Sequence, residues 1–392
     1  MKLVKKQVSR LLLAAAALGQ GFVLAQTPLK IGFVAELSGP QAALGQDQYD
    51  GFMLFLEKTG GKLGNVPVQI LREDTQLKPE VAVQVVQKLM EKERVSIITG
   101  VTFSNVMMAI HKPVTDNKVF LISSLAGPSP IAGAQCSPYQ FVTSFQLDAA
   151  AEAQGKYAND KGYKKVFLLA PNYQGGKDFL AGFKRTFKGQ IVDEVYTAMS
   201  TPDFSAELTQ VAAAKPDAVF AFYPGAIGIN FVRQYSQAGL MKITPLLSQG
   251  AVDGSTLPAL KDAAIGAFNG APWGPDLDNP ANRRFVEAFE KKYSRIPTLF
   301  AAQSYDAAQL IDSALAKVKG NVENKEALRV ALKAADFSSV RGKFRFANNQ
   351  FPIQDYFIQE VVKEASGRVT LKTVATPLKD HLDPYAAQCA MK

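Results

Sequence analysis

The chain has 392 residues, of which 47% are apolar and 20% charged, with 29 glycines and 21 prolines. That length leaves room for two or three domains, and the apolar share excludes wholesale disorder or a collagen-like repeat. Lys and Arg outnumber Asp and Glu by 44 to 35, a net charge of +9, which points toward nucleic acid only if the excess belongs to the folded part.

It does not. Lys2, Lys5, Lys6 and Arg10 flank or precede an apolar stretch over residues 11–18, and Val23-Leu24-Ala25 has the small-residue spacing of a signal-peptidase site. Residues 1–25 therefore read as an export signal, with the mature chain starting at Gln26. Without those four cations about +5 remains, ordinary surface charge, so no nucleic-acid partner is expected. No later stretch approaches ~18 uninterrupted apolar residues, and no Cys stands at the cleavage site, so neither a membrane span nor a lipid anchor is expected.

From Leu29 onward one pattern recurs: a short β-branched run, a loop with Gly, Ser or Pro, then a helical period. Strands are expected over 29–35, 68–72, 95–99, 119–123, 165–170, 191–196, 218–222 and 265–268, and helices over 44–58, 79–92 and 148–160. Pro79 suits a helical first turn. Such alternation means βαβ units and parallel sheets covered on both faces. Breaker-rich stretches at 127–139 and 270–280 interrupt it, and two long helices, 280–293 and 300–319, precede a β-rich tail from Phe344. Two doubly wound lobes fit this order better than a single eight-fold barrel, which has no place for the helix pair and the terminal β segment.

Cys136 and Cys389 are the only cysteines. In an exported chain an even count favours a disulfide; the alternative is two unrelated thiols, one in a loop and one in a tail. His111 and His381 have no Cys or His at ligand spacing, so each reads as an ordinary surface or capping residue, and no metal or cofactor is expected.

Ligands of open α/β sheets bind beyond the carboxyl ends of strands. Thr102, Phe103, Ser104 and Asn105 follow the third strand there, directly ahead of a helix whose free N–H groups and dipole suit an anion, although Ser and Asn also cap helices with no ligand present. Enzyme signatures are missing. The first strand runs into Leu37-Ser38-Gly39-Pro40 rather than G-x-G-x-x-G, and Gly175-Gly176-Lys177 has Pro171 where a phosphate loop needs Gly and Asp178 where it needs Ser or Thr. There is no G-x-S-x-G elbow, and two histidines leave almost no candidate for a Ser-His-Asp triad. Adjacent acids such as Glu73-Asp74 read as solvated.

The export signal, LSGP after the first strand, TGGKLGN, VPVQILREDTQLKPEVAVQVVQKLMEKERVSIITG, FLLAPNYQGGKDFLAGFK, DFSAELTQVAAAKPDAVFAFYPG and AAQSYDAAQLIDSAL together resemble the periplasmic leucine/isoleucine/valine-binding protein family, solute receptors of ABC importers. The resemblance implies two Rossmann-like lobes joined by three crossovers and closing on a small ligand. It divides the chain into 26–145 plus 276–352, 146–275 plus 353–378, and a tail, 379–392. It implies a carboxylate seat at Ser104 and the amides beside it, a second contact from Ser124, Ala126 and Gly127, and aromatic walls from Tyr173 and Tyr223. It also implies a monomer that hands its ligand to an inner-membrane permease, or else presents it to a signalling partner. Two positions depart from the family. Leu44 or its neighbours stand where an aromatic is frequent, and the Glu that receives an amino acid's ammonium is absent, the local sequence being Leu247-Ser248-Gln249-Gly250-Ala251. An ammonium buried there without a charge partner would cost several kcal/mol. An organic acid without an amine, aromatic for preference, is therefore expected, with Gln249 at the missing Glu and Asp253 the nearest other acid; a branched-chain amino acid is the alternative.

Overall fold

The computed structural model describes residues 27–391; the export signal expected over 1–25 lies outside them. A first sheet contains β1 (Leu29–Ala35), β2 (Lys62–Leu63), β3 (Val66–Asp74), β4 (Ile97–Gly100), β5 (Phe120–Ser123) and β6 (Gln140–Val142), in the order β2-β3-β1-β4-β5-β6. A second sheet contains β7 (Lys165–Pro171), β8 (Gln190–Thr197), β9 (Ala218–Phe222), β10 (Leu246–Gln249), β11 (Phe268–Ala271), β12 (Arg345–Phe346) and β13 (Pro352–Lys363), ordered β12-β13-β11-β10-β9-β7-β8, with β14 (Val369–His381) paired to β13. Pairing among β1, β3, β4, β5 and β6, and from β7 to β11, is parallel.

Parallel strands need crossover helices, which cover both faces and demand continuous apolar runs. β4, β5 and β9 are accordingly buried at every residue. The helices are α1 (Ala42–Lys58), α2 (Pro79–Glu91), α3 (Ser104–Asp116), α4 (Ser129–Ala132), α5 (Leu147–Asp160), α6 (Gln174–Thr186), α7 (Ser205–Ala214), α8 (Gly225–Gln237), α9 (Leu257–Leu260), α10 (Pro280–Tyr293), α11 (Leu299–Lys317) and α12 (Lys325–Lys333). α5 packs on α6, β13 and β14, whereas α11 returns to pack along α1. The chain thus passes between two open-sheet lobes three times, and among the described residues no closed barrel forms.

Several expected boundaries move. β11 starts at Phe268, where the reading ended a strand, because Gly266 takes φ +88 and Ala267 N–H closes a turn on Ala264. The residue pair of β12, assigned by sequence to the first lobe, pairs with β13, and β14 continues to His381, so the tail is shorter than 379–392. His111 is not a surface residue: it is buried in α3 with its ring nitrogen 2.5 Å from Gln140 Oε1, and burial lowers its pKa. His381 is paired with Glu152 of α5 at 2.7 Å. The sulfurs of Cys136 and Cys389 are bonded, which carries the tail back to the loop before β6.

Candidate functional site

Loops leaving the carboxyl ends of β4, β5, β7, β9 and β10 meet around one cavity between the lobes. The first lobe contributes Leu44, Thr102, Phe103, Ser104, Leu125 and Ala126, and the second contributes Tyr173, Phe179, Phe222, Pro224, Gln249 and Gly250. Phe145 and Leu147 come from the first crossover, and Leu299 and Phe300 from the start of α11. Among the described residues, no acidic or basic side chain lines it.

One end is built to receive an acceptor. Gly100 (φ +100) and Val101 (φ 62) both take the left-handed region, where a β-branched residue is strained by roughly 1–3 kcal/mol. The turn is held by Val101 N–H to the Val34 carbonyl at 2.6 Å and by Ala126 N–H to the Val101 carbonyl at 2.9 Å. It delivers Phe103 as an extended residue (φ −116, ψ 146) with no side-chain cap on the helix that follows. The N–H groups of Ser104, Asn105 and Val106 precede the first intrahelical bond, Met107 N–H to Phe103 carbonyl, so the first turn of α3 keeps its unpaired donors and its positive dipole end. Ser104, the first helical residue, is 2% exposed, and its hydroxyl has no partner among the described residues.

The neighbouring hydroxyls are committed elsewhere. Thr102 lines the cavity but donates to Gln48 Oε1 at 2.6 Å, and Gln48 Nε2 donates to Ser124 Oγ at 2.9 Å. Ser124 is buried behind the wall, donating to the Gly100 carbonyl, so only Ala126 and Leu125 of its loop reach the cavity. Gly127 lies outside too, accepting from Leu147 N–H at 3.2 Å. Asn105 points away, its Nδ2 directed at the Leu77 carbonyl.

Much of the remaining wall is aromatic. Ring centroids run from Phe103 to Tyr173 at 6.3 Å, Tyr173 to Phe222 at 6.1 Å, Phe222 to Phe179 at 4.1 Å and Phe179 to Phe145 at 6.5 Å. Tyr223 is a correction. Successive residues of a strand point to opposite faces, so with Phe222 in the cavity Tyr223 enters the core of the second lobe, against Phe204 and Phe231 with its hydroxyl 3.3 Å from Thr197. Asp253 is also withdrawn from the cavity. It accepts from Ser255 N–H and Oγ at 2.7 and 2.6 Å, and burial pushes its carboxyl above the ordinary range.

Phe145, Phe179, Phe222, Leu299 and Phe300 were not among the residues expected at the site. Phe222 is legible once β9 is phased by its alternation; Leu299 and Phe300 return from far along the chain and carry no local signal.

A two-lobed α/β receptor with a largely apolar cavity between its lobes is the class these features define. Residues 28–367 match the family model described as periplasmic binding protein, and the chain belongs to that family. It is similar to a solute-binding protein of an ABC transporter from R. palustris solved in complex with benzoate, at TM-score 0.89 and 30% identity, covering 93% of this chain and all of that one. A second R. palustris solute-binding protein, in complex with 4-hydroxybenzoate, matches at TM-score 0.85 and 28% identity over 91% of this chain and 99% of that one. Among sequence relatives, the Leu/Ile/Val-binding protein homolog 6 of Brucella melitensis is 27% identical over 358 residues, 89% of this chain and 91% of that protein. The protein is a member of the solute-binding proteins of ABC transporters.

Proposed function

We propose that the protein is exported by residues 1–25, binds an aromatic carboxylate between its lobes in the periplasm as a monomer, and delivers it chemically unchanged to an inner-membrane ABC permease. The observation that carries this reading is the composition of the cavity: five linked aromatic rings, unpaired donors at Ser104 and the first turn of α3, and no acidic side chain. Offset or edge-to-face packing on such rings is worth roughly 0.5–1.5 kcal/mol per pair beyond burial. The carboxylate is met by charge-assisted hydrogen bonds and a helix dipole. An α-amino acid would fill the same seat but bury its ammonium without a counter-charge, a loss of several kcal/mol. The solved relatives in complex with benzoate and 4-hydroxybenzoate support the same ligand class.

Calorimetry with benzoate, 4-hydroxybenzoate, leucine and valine tests this. Aromatic acids are expected to bind at micromolar affinity or tighter, with no heat from leucine or valine. Leucine binding in that range with silent aromatic acids overturns the reading.

A further inference from the structure

The second lobe also brings a polar group to the cavity, the carboxamide of Gln249, and its orientation is dictated from behind. Gln154, fully buried in α5, donates its Nε2 to the Ser248 carbonyl at 2.9 Å. A carbonyl can only accept, so this atom must be the nitrogen. The same Nε2 lies 3.0 Å from Gln249 Oε1, so Gln249 must turn its oxygen inward, since the flipped amide would set donor against donor. Gln249 is 2% exposed and lines the cavity, and its Nε2 has no partner among the described residues. Room for this relay exists because residue 270 is glycine: a β-carbon there would stand 2.7 Å from Gln154 Nε2.

We propose that Gln154 locks Gln249 as a donor, and that this pair makes the cavity select aromatic acids whose ring carries an acceptor oxygen, such as a hydroxyl, within reach of Gln249 Nε2. The inference rests on the aromatic-acid reading above and deepens it. Ser104 from the first lobe and Gln249 from the second then both present donors to a cavity that is otherwise largely apolar. A ligand with a carboxylate for Ser104 and a second oxygen for Gln249 satisfies both, one with a bare or methylated ring leaves Gln249 Nε2 unpaired, and one with an ammonium sets donor against donor. Gln249 is the specificity residue that touches ligand; Gln154 is a positioning residue acting through it.

The test measures dissociation constants for 4-hydroxybenzoate, 3-hydroxybenzoate, benzoate and 4-methylbenzoate, the last matching the hydroxyl in size. In the wild type at least one hydroxybenzoate should bind about tenfold more tightly than 4-methylbenzoate, because an unmade hydrogen bond leaves a buried donor unsatisfied. In Gln249→Met that ratio should fall to near one. In Gln154→Met, which leaves the cavity wall intact but frees the Gln249 amide to rotate, it should fall to an intermediate value, a change that loss of packing alone would not produce. Melting temperatures of the unliganded variants establish that each is folded. A wild-type ratio near one, or a preference surviving unchanged in Gln249→Met, overturns the proposal while leaving the aromatic-acid reading in place; failure of all four acids to bind overturns both.

Discussion

Ser104 is the residue on which the anion seat turns. A serine at the start of a helix is usually a cap, and removing a cap costs about 1 kcal/mol of stability. Here the cap position belongs to Phe103, and Ser104 is already helical and buried, its hydroxyl without a partner among the described residues. Its hydroxyl therefore contributes little to the fold and is available to ligand. Ser104→Ala is expected to weaken an aromatic acid about tenfold or more, the loss of a charge-assisted hydrogen bond of roughly 1.5–3 kcal/mol, while the melting temperature of the unliganded protein stays unchanged. Calorimetry alongside differential scanning separates the two effects. Thr102 offers the contrast at the same scale: it reaches the cavity, but its proton is spent on Gln48, so a hydroxyl's position in the sequence says little until its partners are known.

At the scale of elements, most of the fold was legible because burial on both faces writes strands as apolar runs and helices as 3.6-residue periods. The run 165–170, for instance, lies within β7, and 280–293 coincides with α10. What escaped was short or bent. β2 and β12 have two residues each and depend on pairing with β3 and β13, not on their own pattern. The site was half legible for a related reason. The loop after β4 announces itself by Thr102 to Asn105, but only Thr102, Phe103 and Ser104 reach the cavity, since the helix that starts at Ser104 turns Asn105 away. Assigning Tyr223 to the cleft put the aromatic side chain one residue too late, and a one-residue slip along a strand exchanges cavity for core. The missing Glu, by contrast, was readable as an absence, and Gln249 does line the cavity. Its orientation through Gln154 could not be read, because that contact joins residues 95 positions apart.

Contacts between lobes belong to the scale of the whole molecule, and one carries a titratable group. Asp178 of α6 accepts from Ser129 N–H and Oγ, on α4 of the other lobe, at 2.9 and 2.8 Å, and from Gln174 Nε2 at 2.8 Å. Burial, with Asp148 nearby, pushes its carboxyl up to about 6 despite these bonds. When the lobes part, Asp178 returns to water and to an ordinary carboxylate value near 4. Closure therefore takes up a proton between those values, so closing, and the ligand binding coupled to it, strengthens as pH falls from 7.5 to 5.5. The expected gain for benzoate, still ionised there, is about fourfold, and it should vanish in Asp178→Asn. Titration calorimetry of both proteins at the two pH values reads it directly.

The tail beyond β14 ties the same two lobes together by other means. Asn349 Nδ2 bridges Asp383 and the Ala132 carbonyl at 2.9 Å each, and Asn348 Nδ2 donates to the Ala386 carbonyl at 2.9 Å, which seats the tail on the first lobe where Cys389 is bonded to Cys136. Between these anchors Tyr385 reaches the second lobe, donating to Asp148 Oδ2 at 2.9 Å and accepting from Arg185 Nη2 at 3.0 Å. The bond closes a sequence separation of 253 residues, for which the loop-entropy argument gives about 5.5 kcal/mol, an upper value because denatured chains keep residual structure. Most of the chain lies inside that loop, so the constraint acts on the unfolding of both lobes rather than on the tail alone. Cys389→Ser should therefore lower the urea midpoint of the entire transition, not merely fray its end, and Cys136→Ser should lower it by the same amount. Reductant in the denaturant should bring the wild type to the midpoint of the variants and leave the variants where they are. Three coincident midpoints under reduction, with only the oxidised wild type displaced upward, is the outcome expected.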